Sequence, residues 1–255
     1  MADFVAKNSI VREIWGKSDT ILLVFAGASA EFALSIAVDW LYFTGKIPNN
    51  PLGRLFSTVA YARDIVFSSK SDAHKAIDKI NQIHSAVEES RGEKIPNWAY
   101  QDVLFMLVDY SIRAYELLER PLDINEREAV FKVFLKVGKR MQIKDLPENY
   151  EAFEIKRQSH LETNYYNGDF TKDLYKQYRK HLGYFRFKLL IETQILLTPK
   201  IINQKLNPRR HSLVERFITI YKISRRIKLD SFIKTLVLPD EYQSQIKAMN
   251  VISTN

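Results

Sequence analysis

The chain has 255 residues, is 46% hydrophobic and carries a formal charge of +8 without a single cysteine. That length and apolar content can build one sizeable core, while the missing thiols exclude disulfides, thiolate metal sites, iron–sulfur clusters and cysteine nucleophiles. Residues 1–7 lack the basic region, apolar stretch and small-residue cleavage site of a secretory signal, so a cytoplasmic protein is expected.

With only eight glycines and eight prolines, the chain reads at the helical period, which predicts a single-domain, all-α helical bundle over residues 1–255. The first apolar segment, Ile21 to Phe43, is long enough to cross a bilayer. Glu31 and Asp39 argue against crossing, and its many small residues (Ala26, Gly27, Ala28, Ser29, Ala30, Ala33) suit a helix packed inside a protein. After the turn at Gly45 to Pro48, Asn50 is placed to cap and Pro51 to open a helix reaching about Phe67. A helix carrying His74 and His84 follows, and Gly92 and Pro96 end it.

The next helix, Trp98 to Leu118, contains the near-continuous apolar run Val103 to Val108. Asp123 and Glu126 form a capping-box pattern ahead of the stripe Val130, Phe134 and Val137. Pro147 is expected to begin a helix reaching about His160. Another runs from Thr171 to Leu197 with Leu174, Tyr178, Leu182, Phe185 and Leu189 in register. Beyond Pro199 and Pro208, Leu213, Phe217, Ile220 and Ser224 line one side of a basic amphipathic helix. Charge follows this order: residues 172–234 hold 16 Lys and Arg against 4 Asp and Glu, whereas residues 1–171 hold 21 against 24. A basic last third can face anionic lipid or nucleic acid, or be a set of solvated helix faces.

His84 is the residue most out of place. It shares the apolar stripe of Ile77, Ile80 and Val87, while His74 falls with Asp78, Asn81 and Ser85 on the polar side of the same helix. His84 is therefore a candidate ligand or a core histidine satisfied by a backbone carbonyl. Arg54 and Thr58, four apart on the preceding helix, project from one face about 6 Å apart. A buried cation and a hydroxyl so arranged can hold a carboxylate such as a haem propionate while an imidazole ligates iron; the competing reading is a surface arginine with a threonine behind it.

The order of these residues resembles the haem-dependent oxygenases that include rubber oxygenase (latex clearing protein) and the fungal oxygenase MpaB. The resemblance runs from about Val11 to Phe153. It rests on Trp15-Gly16, Phe25 to Ala28, Pro51 to Leu55 followed by Thr58 and Tyr61, Ile80 to Val87, Glu126 to Glu128, and Leu146-Pro147 before Phe153. It implies a globin-like helical haem-binding core over 11–153; the charge distribution adds a basic helical part over 171–255. The resemblance also implies haem b as cofactor, His84 as the iron ligand, Arg54 and Thr58 beside the haem, and a lipophilic, isoprenoid-like small molecule oxidised with dioxygen. Phe25, Phe32 and Ile36 are candidate pocket walls.

Three positions depart from the pattern. Ser68 follows Phe67 where the family has glycine, Met106 and Leu107 stand in place of a tryptophan, and Val38 occupies the position of the acidic residue thought to act as base in rubber oxygenase. Glu31 and Asp39 are out of register with that position, so no catalytic residue is assigned and rubber cleavage is not expected.

Other chemistries have weaker support. His160, His181 and His211 lack carboxylate or histidine partners at metal spacing, and Glu88, Glu89 and Glu93 read as a solvated surface. The Glu-x-x-His pairs of diiron bundles, phosphate loops, dinucleotide fingerprints and serine elbows are missing. The alternative function is a non-catalytic helical binding module, haem carrier or sensor, or a peripheral membrane protein docking through its basic third. Nucleic acid is the weaker partner, because the tyrosines among those basic residues are equally explained by packing.

Overall fold

A computed structural model describes residues 2–43, 51–206, 212, 218, 221 and 222, and among these not the side chains of residues 39, 41, 51, 52, 54 and 55. The turn at Gly45 to Pro48, the cap at Asn50, the side chains of Asp39 and Arg54, His211 and the stripe from Leu213 to Ser224 lie outside that description.

The described chain is helical, with short bridges at Asp3–Ser69 and Ser35–Tyr165. In order come α1 (Ile10–Trp15), α2 (Ser18–Leu34), α3 (Val38–Phe43), α4 (Pro51–Phe67) and α5 (Lys70–Arg91). They are followed by α6 (Asn97–Leu118), α7 (Ile124–Arg140), α8 (Tyr150–Thr163), α9 (Asp169–Leu197) and α10 (Lys200–Leu206). The all-α reading holds.

Helix α2 is the axis of the bundle. Its principal neighbours are α6 and α9, with α1, α4 and α10 also against it, and nearly every residue along it is buried. Small side chains make this possible by letting neighbours approach from every direction. The closest approach is at Gly27, where an added Cβ would lie 2.3 Å from the Tyr110 ring. Tyr110 is itself completely buried and its hydroxyl donates to Glu31, so the ring has nowhere to go. Gly27→Ala is expected to destabilise the fold by about 1–3 kcal/mol through overpacking, a loss that thermal or urea unfolding would register; an unchanged midpoint would mean that the ring can move.

The apolar segment from Ile21 to Phe43 does not form one helix, contrary to the expectation from its composition. Helix α2 stops at Leu34, and Ser35 turns into an extended conformation. The cause is pairing with the chain that follows α8. Ile36 N–H donates to the Asn164 carbonyl and Tyr166 N–H to the Leu34 carbonyl, so backbone groups that a continuous helix would use internally are satisfied elsewhere. Among the described residues, no helix is long and apolar enough to cross a membrane.

The later elements follow local signals more closely. Asp123 and Glu126 form both halves of the expected capping box of α7. Helix α8 begins after Asn149, whose side chain accepts from Ala152 N–H, three residues later than Pro147 suggested. Helix α9 is kinked at Gly183, where φ is 72° and ψ 173°, a conformation available almost only to glycine. The kink takes the expected apolar stripe out of register. Leu174 and Tyr178 are buried, with the Tyr178 hydroxyl donating to the Ser29 carbonyl, but Phe185 faces outward.

Candidate functional site

The stripe of α5 containing His84 faces a cavity of about 220 Å³ rather than solid core. Ile80, Ile83, His84 and Val87 supply one side from α5; Thr58, Tyr61 and Ile65 supply another from α4. Tyr100, Val103 and Leu107 contribute from α6, and Val133 and Val137 from α7. The fold thus brings His84 and Thr58 to one chamber whose walls are mostly aliphatic and aromatic, the usual composition of a small-molecule site. Arg54 stands one helical turn before Thr58 on α4. Of the proposed wall residues in the first apolar segment, Phe32 lines the cavity. Phe25 instead stacks on Phe56 in the core, 4.3 Å between ring centroids, and Ile36 is exposed because the chain leaves the helix at Ser35. Trp40 reaches the cavity from α3, beneath the Arg91 guanidinium at 3.9 Å.

His84 is half-buried, and its ring meets Tyr100 edge-on with centroids 5.1 Å apart. His74 is half-buried too, edge-on to Phe4 at 6.2 Å, outside the cavity and less solvated than its polar neighbours suggest. Tyr100 is fixed in turn by Glu88. The Glu88 Oε1 atom accepts from the Tyr100 hydroxyl at 3.1 Å and from Ile95 N–H at 3.0 Å, while Lys94 reaches Oε2 at 2.9 Å. Glu88 is therefore a buried anchor, not the solvated surface group expected from its acidic neighbours.

Burial pushes the Glu88 carboxyl pKa upward, but Lys94, the Ile95 N–H and Tyr100 outweigh it and hold the group below its ordinary value. Burial, and then Glu88, raise that of the Tyr100 phenol. A depressed carboxyl contributes stability above the unfolded value of about 4.3, and loses it as pH falls through the lower folded value. Wild type should thus exceed Glu88→Gln in stability at pH 7 and lose that margin below about pH 4. A margin independent of pH in parallel unfolding curves would remove the charge from the explanation.

A second polar group borders the same cavity. Asp102, on α6, lines it, with Oδ1 2.7 Å from His160 Nδ1 and Oδ2 accepting from Asn164 Nδ2 at 3.0 Å. His160 thus does have a carboxylate partner, 58 positions away on another helix, where spacing along the chain cannot show it. Tyr165 also lines the cavity and connects it to the buried Arg157 and Glu31.

Among the described residues no three His, Asp or Glu side chains converge as a protein-only metal site requires. A metal held by His84 would need its other donors from a macrocycle or from solvent. One imidazole in an apolar chamber, with a hydroxyl on the adjacent helix, fits a planar group that carries four donors of its own.

Residues 19–202 match the family model described as ER-bound oxygenase mpaB/B'/rubber oxygenase, catalytic domain. The match continues through α9 into α10, beyond the Val11 to Phe153 span that carries the sequence motifs. No curated protein and no solved structure matches the chain.

Proposed function

Since the chain belongs to the mpaB/B'/rubber oxygenase family, we propose that it is a haem b-dependent oxygenase that uses dioxygen to oxidise a lipophilic small molecule, at an isoprenoid-like double bond. The family supports an oxygenase acting on a small molecule with dioxygen; haem, its ligand and the character of the substrate are our reading. One observation carries it: His84 and Thr58, each picked out by sequence, line one largely apolar cavity from consecutive helices.

In this reading His84 would ligate the iron through its imidazole, and Thr58, with Arg54 one turn earlier, would hold a propionate. When bound, haem would supply dioxygen activation, with dioxygen itself the oxidant. The protein's part is to orient and to keep dry. Tyr100, pinned by Glu88, restricts the His84 ring by packing edge-on against it. Phe32, Ile80, Val103 and Leu107 exclude water from the space beside it. Val38 is buried and cannot exchange a proton, so no base is assigned there.

The test is the absorption spectrum of protein expressed with haem supplied, before and after dithionite and carbon monoxide. A Soret band that shifts with both, at one iron per chain, is the expected result. A folded, colourless protein that takes up no added haem would return His84 to a structural role and favour the non-catalytic binding module.

The outer face of α9 favours peripheral binding to an anionic membrane. Between Asp173 and Glu192 the sequence holds five Lys and Arg and no acidic residue, and the Gly183 kink leaves Tyr184 and Phe185 65% and 63% exposed. An exposed aromatic pair among cations suits the headgroup boundary. Wild type should sediment with phosphatidylserine vesicles in low salt, whereas Tyr184→Ser/Phe185→Ser should bind several-fold less. Equal recovery on neutral vesicles would remove the membrane from the account.

A further inference from the structure

The cavity is apolar on most sides, yet Asp102 breaks that wall. It is 2% exposed and, among the described cavity-lining residues, the only carboxylic acid. A buried carboxylate is costly unless its acceptor sites are filled. A carboxylate offers about four such sites, and the protein fills two: His160 Nδ1 lies 2.7 Å from one oxygen, and Asn164 Nδ2 donates to the other at 3.0 Å.

Both partners are themselves held. Asn164 N–H donates to the His160 carbonyl and its own carbonyl accepts from Ile36 N–H, and the Phe105 ring packs on the imidazole at 5.3 Å. The carboxylate is thus fixed in place from α8 and the residue that ends it, instead of turning into solvent. Asp102 lines the chamber that is the substrate site in the preceding reading, on which this inference rests.

We propose that Asp102, positioned by His160 and Asn164, recognises a hydroxyl group on the ligand, so that the cavity selects a lipophilic alcohol over a hydrocarbon of the same shape. The juxtaposition that requires this is a buried, doubly held carboxylate in an otherwise apolar wall. A pure hydrocarbon entering the chamber would strip water from Asp102 and return no hydrogen bond. A hydroxyl restores one. Sites built to bond a hydroxyl reject the analogue lacking it far more strongly than apolar pockets reject an extra methylene. An ammonium is the poorer guest, because a full charge loses more on entering this chamber than one carboxylate, already shared by two donors, gives back.

The experiment uses the full chain and three probes of one length, decan-1-ol, decane and decylamine, each displacing a bound apolar dye. Wild type should prefer the alcohol to the alkane by at least about tenfold, with the amine behind the alcohol at pH 7. Asp102→Leu should abolish the preference by losing alcohol affinity while retaining or gaining alkane affinity. Asp102→Asn keeps the size and an acceptor oxygen, so it should fold where the leucine variant does not, and should show a smaller preference than wild type. A merely structural Asp102 would weaken all probes alike.

Equal binding of alcohol and alkane by wild type, an alcohol preference undiminished in both variants, stronger binding of the amine, or exclusion of every probe would each overturn the proposal. The Soret band of the same preparations separates the two readings. Alcohol selection in a protein that takes up no haem sustains this inference while defeating the cofactor assignment, and a haem-loaded protein without selection does the reverse.

Discussion

Replacing His84 by alanine is expected to abolish haem retention, while His74→Ala leaves iron per chain at the wild-type level. The two histidines stand ten positions apart on α5 and are both half-buried, but only His84 faces the cavity. If His84 supplies the iron's one protein ligand, the alanine variant leaves only apolar contacts and the Thr58 side to hold the macrocycle. Removing His84 also opens space in a wall that already borders a void, so its effect on folding should be modest compared with that of a truncation in solid core. That separates ligand loss from unfolding. Imidazole supplied in millimolar amounts should enter His84→Ala and restore a Soret band. Tyr100→Phe keeps the ring contact with His84 and removes only the bond to Glu88, so it should keep the haem. Equal loading in the His84 and His74 variants would sink the assignment, whatever the family performs.

How much of this was legible before the fold depends on the distance over which each feature is decided. His84 stands out because helical periodicity puts a polar residue where an apolar one belongs, and Thr58 because it lies one turn after Arg54; both signals need only a few neighbouring positions. The capping box of α7 is equally local. The Asp102–His160 pair joins α6 to α8, so neither residue carries a mark of it in its own segment. Glu88 reads as surface among acidic neighbours, although its carboxylate closes the turn after α5 by accepting from Ile95 N–H. The break at Ser35 is hidden for a related reason. No glycine or proline interrupts Leu34 to Val38, and what stops the helix is backbone pairing with residues 164–166. Gly183 illustrates the converse, since a lone glycine in a helical pattern is often tolerated, and only the backbone reveals that this one turns Phe185 outward.

Arg157→Ala should be among the most damaging substitutions in the described chain, costing about 3–5 kcal/mol of stability and lowering Tm by about 10 °C or more. The guanidinium donates to Glu31, which is wholly buried. It also donates to Asp109 at 3.3 Å and to the Tyr165 hydroxyl at 3.4 Å. Burial works against the arginine's charge, yet Glu31, then Tyr165 and Asp109, hold its pKa well above the usual value. Alanine therefore removes the cation and leaves the Glu31 carboxylate in the core with, among the described residues, only the Tyr110 hydroxyl, at 2.7 Å, to share its charge. Asp109 is less affected because Arg113 still reaches it at 2.6 Å.

The loss should come chiefly from the stranded carboxylate rather than from a missing attraction, and a double substitution distinguishes the two. Arg157→Met/Glu31→Leu removes both charges and keeps the volume, so it should be more stable than Arg157→Met alone, as apolar replacements of buried ion pairs often are. A double variant no more stable than Arg157→Met would mean that the stranded carboxylate is not the source of the loss. Because Tyr165 lines the cavity, Arg157→Lys offers a further reading. It keeps the positive charge but cannot fork between Glu31, Asp109 and Tyr165, so it should fold with less stability and bind apolar probes more loosely, connecting this buried network to the shape of the chamber beside it.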